Sequence, residues 1–243
     1  MKLGELKINC YKLIDPSEEN MTADQIEVYE SDSTYAYYFL NMLPSINSAI
    51  TRVVQACILP LKRLEIDCAT EYQKSFKTIE NQDGTSGKVQ TKKKAHINLK
   101  NHATDIYKIK LIEYEDKNEN TSNINYRIIG DYLDVQNQSE GNIIIYYFPK
   151  IPSLESIYNT SDYDYINEIE LEELGLDDSI LSYIAYYVKA DLLEADKPSE
   201  AVLARNTFEQ YLASFEAPEI KVNEKHKSWW RDLLWELRVH LNH

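Results

Sequence analysis

Apolar residues recur at helical spacing towards both ends of the chain and alternate with polar ones in between. Leu3, Leu6, Cys10, Leu13 and Ile14 share one side of a helix over residues 3–14, which Asp15-Pro16-Ser17 ends because proline cannot continue the hydrogen-bond ladder. Thr22-Ala23-Asp24-Gln25 reads as an N-cap leading into a brief helix through Tyr29. Ser33 or Thr34 is expected to cap a further helix carrying Tyr35, Tyr38, Phe39 and Met42 as far as Leu43. Pro44 is expected to open the next one, with Ile46, Ile50, Val53, Val54, Cys57 and Ile58 on its buried face and Pro60 closing it.

From Leu61 to Pro152 the period changes. Leu64-Glu65-Ile66-Asp67-Cys68 alternates as a strand does, and residues 96–99, 106–114, 126–135 and 143–148 continue the pattern. Residues 116–120 and 137–141 are rich in turn formers. Five or six strands are expected, forming a small antiparallel sheet or sandwich. Within it residues 81–94, polar and glycine-bearing from Asn81 to Gly87, are expected to form a mobile loop, part of a long loop over 73–94.

Helical spacing returns with Ile180, Ile184, Tyr187, Val188, Ala190 and Leu192, breaks at Asp196-Lys197-Pro198-Ser199, and resumes with Ala201, Ala204, Phe208, Tyr211 and Leu212. This predicts a helical hairpin over residues 179–215. A polar link past Pro218 leads to a terminal amphipathic stretch in which Trp229, Trp230, Leu233 and Leu237 share one side of a helix. The expected class is α+β: a helical bundle from residues 1–60 and 179–216, an inserted antiparallel β domain at 61–152, an acidic connector at 153–178 and a C-terminal helical tail at 217–243. The helical parts can pack as one bundle because the insert's ends, near Pro60 and Pro149, can lie close together.

A net charge of −14 argues against a protein that grips duplex DNA, which needs a cationic stripe to release counterions from phosphate. Residues 153–178 hold nine Asp or Glu and no Lys or Arg, without the D-x-[DN]-x-[DN]-G spacing of a calcium loop; a solvated loop or a surface facing a partner is expected. Lys92-Lys93-Lys94 is the compact basic run, but no phosphate-cradling G-x-x-x-x-G-K-[ST] accompanies it. Cys10, Cys57 and Cys68 are too scattered for a disulfide framework or a zinc site, and His96, His102, His226, His240 and His243 have no neighbouring ligand at metal spacing. No G-x-S-x-G elbow is present. The expectation is a non-enzyme with no catalytic, cofactor-binding or metal residues. Charges interrupt the apolar run at the N-terminus, so it does not read as a secretory signal, and no stretch approaches the ~20 apolar residues of a membrane span. The protein is expected to be intracellular as made.

Trp229, Trp230 and Trp235 are all the tryptophans of the chain. Two readings stand side by side: a last helix packed on its own core, or a docking arm that anchors in a partner through Trp229, Trp230, Leu233 and Leu237. In the second, Lys225, Lys227, Arg231 and Arg238 flank the apolar stripe and favour an acidic rim.

The hairpin Ile184-Ala185-Tyr186-Tyr187-Val188-Lys189-Ala190-Asp191-Leu192, Pro198 and Ala204-Arg205-Asn206-Thr207-Phe208-Glu209-Gln210-Tyr211-Leu212, taken with Leu40-Asn41-Met42-Leu43-Pro44-Ser45-Ile46-Asn47 and Ile144-Ile145-Tyr146-Tyr147-Phe148-Pro149-Lys150-Ile151-Pro152, resembles the head–tail connector, or adaptor, proteins of tailed phages and prophages of Gram-positive bacteria. The resemblance covers roughly residues 1–215 and rests on packing motifs. It implies a homo-oligomeric ring of about a dozen copies in the virion neck, between the portal and the stopper or tail proteins. DNA passes through the lumen without specific binding, and the C-terminal segment reaches onto the portal. It implies no membrane partner and no cofactor. The loop 73–94 and the tail beyond Pro218 are additions to the simplest family pattern. Other readings are a stopper or tail terminator of a phage or tail-like particle, or a cytosolic protein-binding module.

Overall fold

Two separate hydrophobic cores organise the chain, one among helices and one between sheets. The computed structural model describes residues 1–80, 86–136, 140–161 and 163–214, with backbone alone for 72–80, 86–94 and 136. The first helix, α1 (Leu3–Ile14), buries Leu3, Leu6, Cys10 and Ile14, while the Glu5 carboxylate accepts from the Lys2 N–H at 2.7 Å and closes its first turn. Asp15 ends it by accepting from the Ser17 N–H at 3.1 Å as Pro16 starts a new turn. The short α2 (Ile26–Ser31) follows.

Where two helices meeting at Pro44 are expected, one continuous helix is found, α3 (Ala36–Gln55). Proline removes the donor for the Leu40 carbonyl, but Leu40 is 65% exposed, so water can satisfy that group. The Ser48 hydroxyl donates to the Pro44 carbonyl at 3.0 Å, and the stripe Phe39, Met42, Ile46, Ala49, Ile50, Val53 and Val54 stays buried on both sides of the proline. Packing along the whole face outweighs one missing bond. The helix start also differs: Asp32, not Ser33 or Thr34, organises it, its carbonyl accepting from Tyr35 and Ala36 and its carboxylate from the Thr34 N–H at 2.8 Å.

The insert begins with β1 (Lys62–Asp67) and a single turn of helix, α4 (Cys68–Glu71). It continues through β2 (Tyr72–Glu80), β3 (Ser86–Asn98), β4 (Ile106–Glu115), β5 (Thr121–Asn123), β6 (Tyr126–Ile129), β7 (Tyr132–Gln136) and β8 (Asn142–Pro149). Two four-stranded antiparallel sheets result, in the orders β1-β8-β4-β5 and β2-β3-β7-β6. Ile66, Ile97, Ile112, Leu133, Val135, Ile143 and Ile145 fill the space between them. The expected five or six strands are eight among the described residues; most of the expected long loop 73–94 is an antiparallel ribbon, with Tyr72 opposite Ala95 and Glu80 opposite Ser86, and residues 86–94 of the expected mobile loop 81–94 are strand β3. The ribbon's sequence carries no apolar alternation, so main-chain pairing left no mark on the pattern.

Residues 153–178 are not a detached connector. They form α5 (Leu154–Thr160) and short 3₁₀ turns, and Leu154, Ile169, Leu171 and Leu176 are buried in the helical core. The Leu3 N–H donates to the Ile169 carbonyl at 3.0 Å and the Leu171 N–H to the Met1 carbonyl at 3.1 Å, which ties the segment to the start of α1. Most of its described carboxylates are exposed while Leu154, Ile169, Leu171 and Leu176 point in; net charge alone concealed the second set.

The expected hairpin is α6 (Asp178–Leu193) and α7 (Pro198–Ser214). The Asp177 side chain caps α6 by accepting from the Ile180 N–H at 2.9 Å. α6 is the central helix and packs against α1, α3 and α7. The protein is thus α+β, a helical bundle carrying an antiparallel β insert, and no helix among the described residues is long and apolar enough to cross a membrane. The tail 217–243 lies outside the described residues. Val54 and Phe208 are 6% and 0% exposed in the same core. Val54→Asp and Phe208→Asp are each expected to cost about 3 kcal/mol or more by burying an unpaired charge. Thermal melts of the two variants check this, and unchanged midpoints overturn the core assignment.

Candidate interaction surfaces

No group of three or more His, Cys, Asp or Glu side chains converges at metal-binding geometry among the described residues. His96 does find a carboxylate, that of Asp134, directly across the β3–β7 ladder, and its ring stacks on Tyr132 at 4.8 Å. His102 lies 3.4 Å from Glu71. Both partnerships join residues distant in sequence, so spacing along the chain could not reveal them. The three cysteines are unpaired, and burial pushes the Cys68 thiol up to about 11 and that of Cys10 higher still, which keeps both protonated and poorly nucleophilic. The basic run Lys92–Lys94 falls on β3 opposite Ser75, Lys74 and Gln73.

The densest polar cluster lies inside the bundle. Lys7, 3% exposed, donates to the Glu30 carboxylate at 2.7 Å, and the Asn167 amide donates to the same oxygen at 3.2 Å. The Tyr165 hydroxyl donates to the other Glu30 oxygen. The cluster joins α1, α2 and the segment before α6. Burial alone would raise the Glu30 carboxyl, but the hydrogen bonds from Lys7 and Tyr165 and the Lys7 charge outweigh it and hold the carboxyl below its usual range. Three donors converge on one carboxylate, while the buried Asn167 Oδ1 finds no partner among the described residues; the convergence on Glu30 makes the cluster a structural clasp.

Two apolar surfaces remain open. One is a groove of about 360 Å³ between α1 and α6, where the half-buried Leu13 and Tyr186 lie over the buried Leu6, Leu181 and Ala185, rimmed by Asn9, Lys12 and Ser182. α1 and α6 run in the same direction along it, with Met1 beside Leu181 at one end and the Leu13 carbonyl accepting from Lys189 Nζ at 2.8 Å at the other. The second is the seam of the sandwich. β4 pairs with β8 along its length but with β5 only from Glu113 to Glu115, and β6 is an edge strand, so the two sheets stand open on this side. A cavity of about 400 Å³ lies between them, lined by Leu99, Ile106, Tyr107, Ile109 and Ile128, of which Tyr107 and Ile128 are more than 40% exposed. An open seam with exposed apolar side chains is a candidate interaction surface.

No family model matches the chain, and no curated protein matches it. The expected docking residues Trp229, Trp230, Leu233 and Leu237 lie outside the described residues. Sequence reasoning did not anticipate either open surface, because each is assembled from separate elements. The available signals were Leu13, which the helical stripe of α1 already contained, and the run Tyr126-Arg127-Ile128-Ile129, too apolar for a strand with a solvent face.

The clasp predicts a pH dependence. With its folded value depressed, Glu30 contributes stability that is present above the unfolded carboxylate value of about 4.3 and is lost as pH falls through the folded one. Glu30→Gln is therefore expected to melt lower than the parent at neutral pH, with the difference shrinking on acidification. A difference independent of pH counts against the charged clasp.

Proposed function

We propose that the protein is a structural head–tail connector of a tailed phage or prophage, closing into a ring of about a dozen copies between portal and tail. On this reading it is made in the bacterial host cytoplasm, resides in the virion neck, and performs no catalytic step. The observation that carries the reading is the hairpin of α6 and α7 at the centre of the bundle, the element on which the resemblance to connector proteins is strongest, with Ile184, Val188 and Phe208 fully buried between its neighbours. Of the other two resembling segments, residues 40–47 lie within α3, and residues 144–152 run from β8 towards α5.

Several physical features support the reading. The charge of −14 repels DNA and lets it slide through a lumen without sticking. A ring requires two different faces on one subunit, and the open seam of the sandwich and the exposed face of α7 with Val202 and Leu203 are apolar surfaces on different parts of the molecule. The terminal stripe Trp229, Trp230, Leu233 and Leu237 provides anchors for the portal, each contributing about 2 kcal/mol or more at a well-packed interface.

Electron microscopy of the purified protein, alone and mixed with a tailed-phage portal protein, tests the reading. Closed rings, or rings seated on the portal, are expected. A chain that stays monomeric and ignores the portal overturns it. Deleting residues 222–243 is expected to leave the body folded and to abolish assembly with the portal; normal assembly of the truncated chain removes the tail from the interface.

A further inference from the structure

We propose that the groove between α1 and α6 is the docking site of the chain's own C-terminal segment, which occupies it in the free subunit. The inference rests on the groove and on the sequence of the tail, and it stands or falls independently of the connector reading.

The first argument is where the described chain ends. α7 closes at Ser214, three residues after Tyr211, whose ring stacks on Tyr183 of α6 at 3.7 Å and whose hydroxyl lies 3.4 Å from that of Ser179. Tyr183 in turn neighbours Tyr186 at 6.3 Å, and Tyr186 lines the groove. The described chain therefore ends beside the start of α6, near the groove.

The second argument is reach. Residues 215–228 precede the apolar stripe, and a flexible tether of that length spans about 20 Å on average, which puts the stripe at a local concentration on the order of millimolar at the groove. A second copy of the chain at micromolar concentration cannot compete with that, so the occupant is the subunit's own segment.

The third is fit. Along α1 the floor runs from Leu6 to Leu13, about 10 Å of helix, and the stripe from Trp229 to Leu237 covers about 12 Å if helical. Glu172 and Asp178, both exposed, lie at the end where the tail enters, and Lys12 lies towards the other. A segment entering from that end brings Lys225 and Lys227 towards Asp178 and towards Glu172, which already pairs with the Met1 ammonium at 2.7 Å, and brings Glu236, with Arg238 beside it, towards Lys12. Aromatic anchors in an apolar groove with matched rims are the helix-in-groove mode of recognition.

All three tryptophans lie in the tail, so intrinsic tryptophan fluorescence of the full chain reports on this segment alone. For the parent protein, measured as a monomer, the expected result is blue-shifted emission shielded from acrylamide and unchanged across a roughly hundredfold range of concentration. Two variants break the groove: Leu13→Lys in its floor and Ser182→Arg on its exposed rim, the second removing nothing from the core. Each is expected to shift the emission to the red and raise quenching severalfold while far-ultraviolet circular dichroism at the assay temperature stays that of the parent. Leu233→Lys with Leu237→Lys, which changes only the tail, is expected to do the same. Water-exposed emission in the parent overturns the proposal, as does shielding that persists in Ser182→Arg and in any folded Leu13→Lys. Shielding that appears only as concentration rises overturns it too, because it assigns the groove to a second copy.

Discussion

Everything in this fold depends on the pairing of β1 with β8. The bundle is built from two stretches of chain separated by some ninety residues, and bringing such distant ends together costs about 4 kcal/mol of loop entropy in a flexible chain. The antiparallel ladder from Lys62 opposite Tyr147 to Asp67 opposite Asn142 sets the entry and exit of the insert side by side. Asp105 fastens this root: its carboxylate accepts from Lys62 Nζ at 2.6 Å and from the Tyr147 hydroxyl at 2.9 Å, and its carbonyl accepts from the Lys150 N–H. Burial together with that hydrogen bond raises the Tyr147 phenol to about 12. One step further on, Asn47 of α3 accepts from the Leu154 N–H at 2.9 Å and donates to Glu155 at 2.8 Å. The insert's own folding thus meets the closure cost, and α6 arrives where α1 and α3 can receive it.

The polar interior follows the same economy. Lys7 and Glu30 would be expensive to bury separately, and their mutual attraction offsets that only because Tyr165 and Asn167 complete the carboxylate's hydrogen bonds. The clasp makes residues 163–170 part of the bundle despite their acidity. It explains how a segment with nine carboxylates can be structural: its charged residues are solvated or individually paired, and the apolar ones between them carry the packing.

The two open surfaces differ in how the molecule manages them. Along the free half of β4, Lys108 and Lys110 are exposed, and charged side chains on an unpaired edge oppose indiscriminate strand pairing with another copy. The groove between α1 and α6 carries Lys12 on its rim, and it sits where a tethered apolar stripe can reach it. Connector function and the parked tail are compatible: a segment held in a shallow groove is available to a partner that binds it more tightly, since a ligand shifts the balance by its differential affinity.

Local periodicity by itself determined the α+β class, the extents of α1 and of the α6–α7 hairpin, most of the helical core and the sites of β1, β4 and β8, because each rests on apolar spacing within a few turns or a few strand residues. Only the tertiary structure decided the rest. Pro44 sits inside one helix because the face it interrupts is buried on both sides, a property of α6 and α1 as much as of α3. Residues 153–178 join the core because α1 offers backbone partners to Ile169 and Leu171. The β2–β3 ribbon forms by main-chain pairing that its polar composition does not signal. The groove and the seam exist only where elements far apart in sequence meet, and no pattern along one strand or helix encodes the gap beside it.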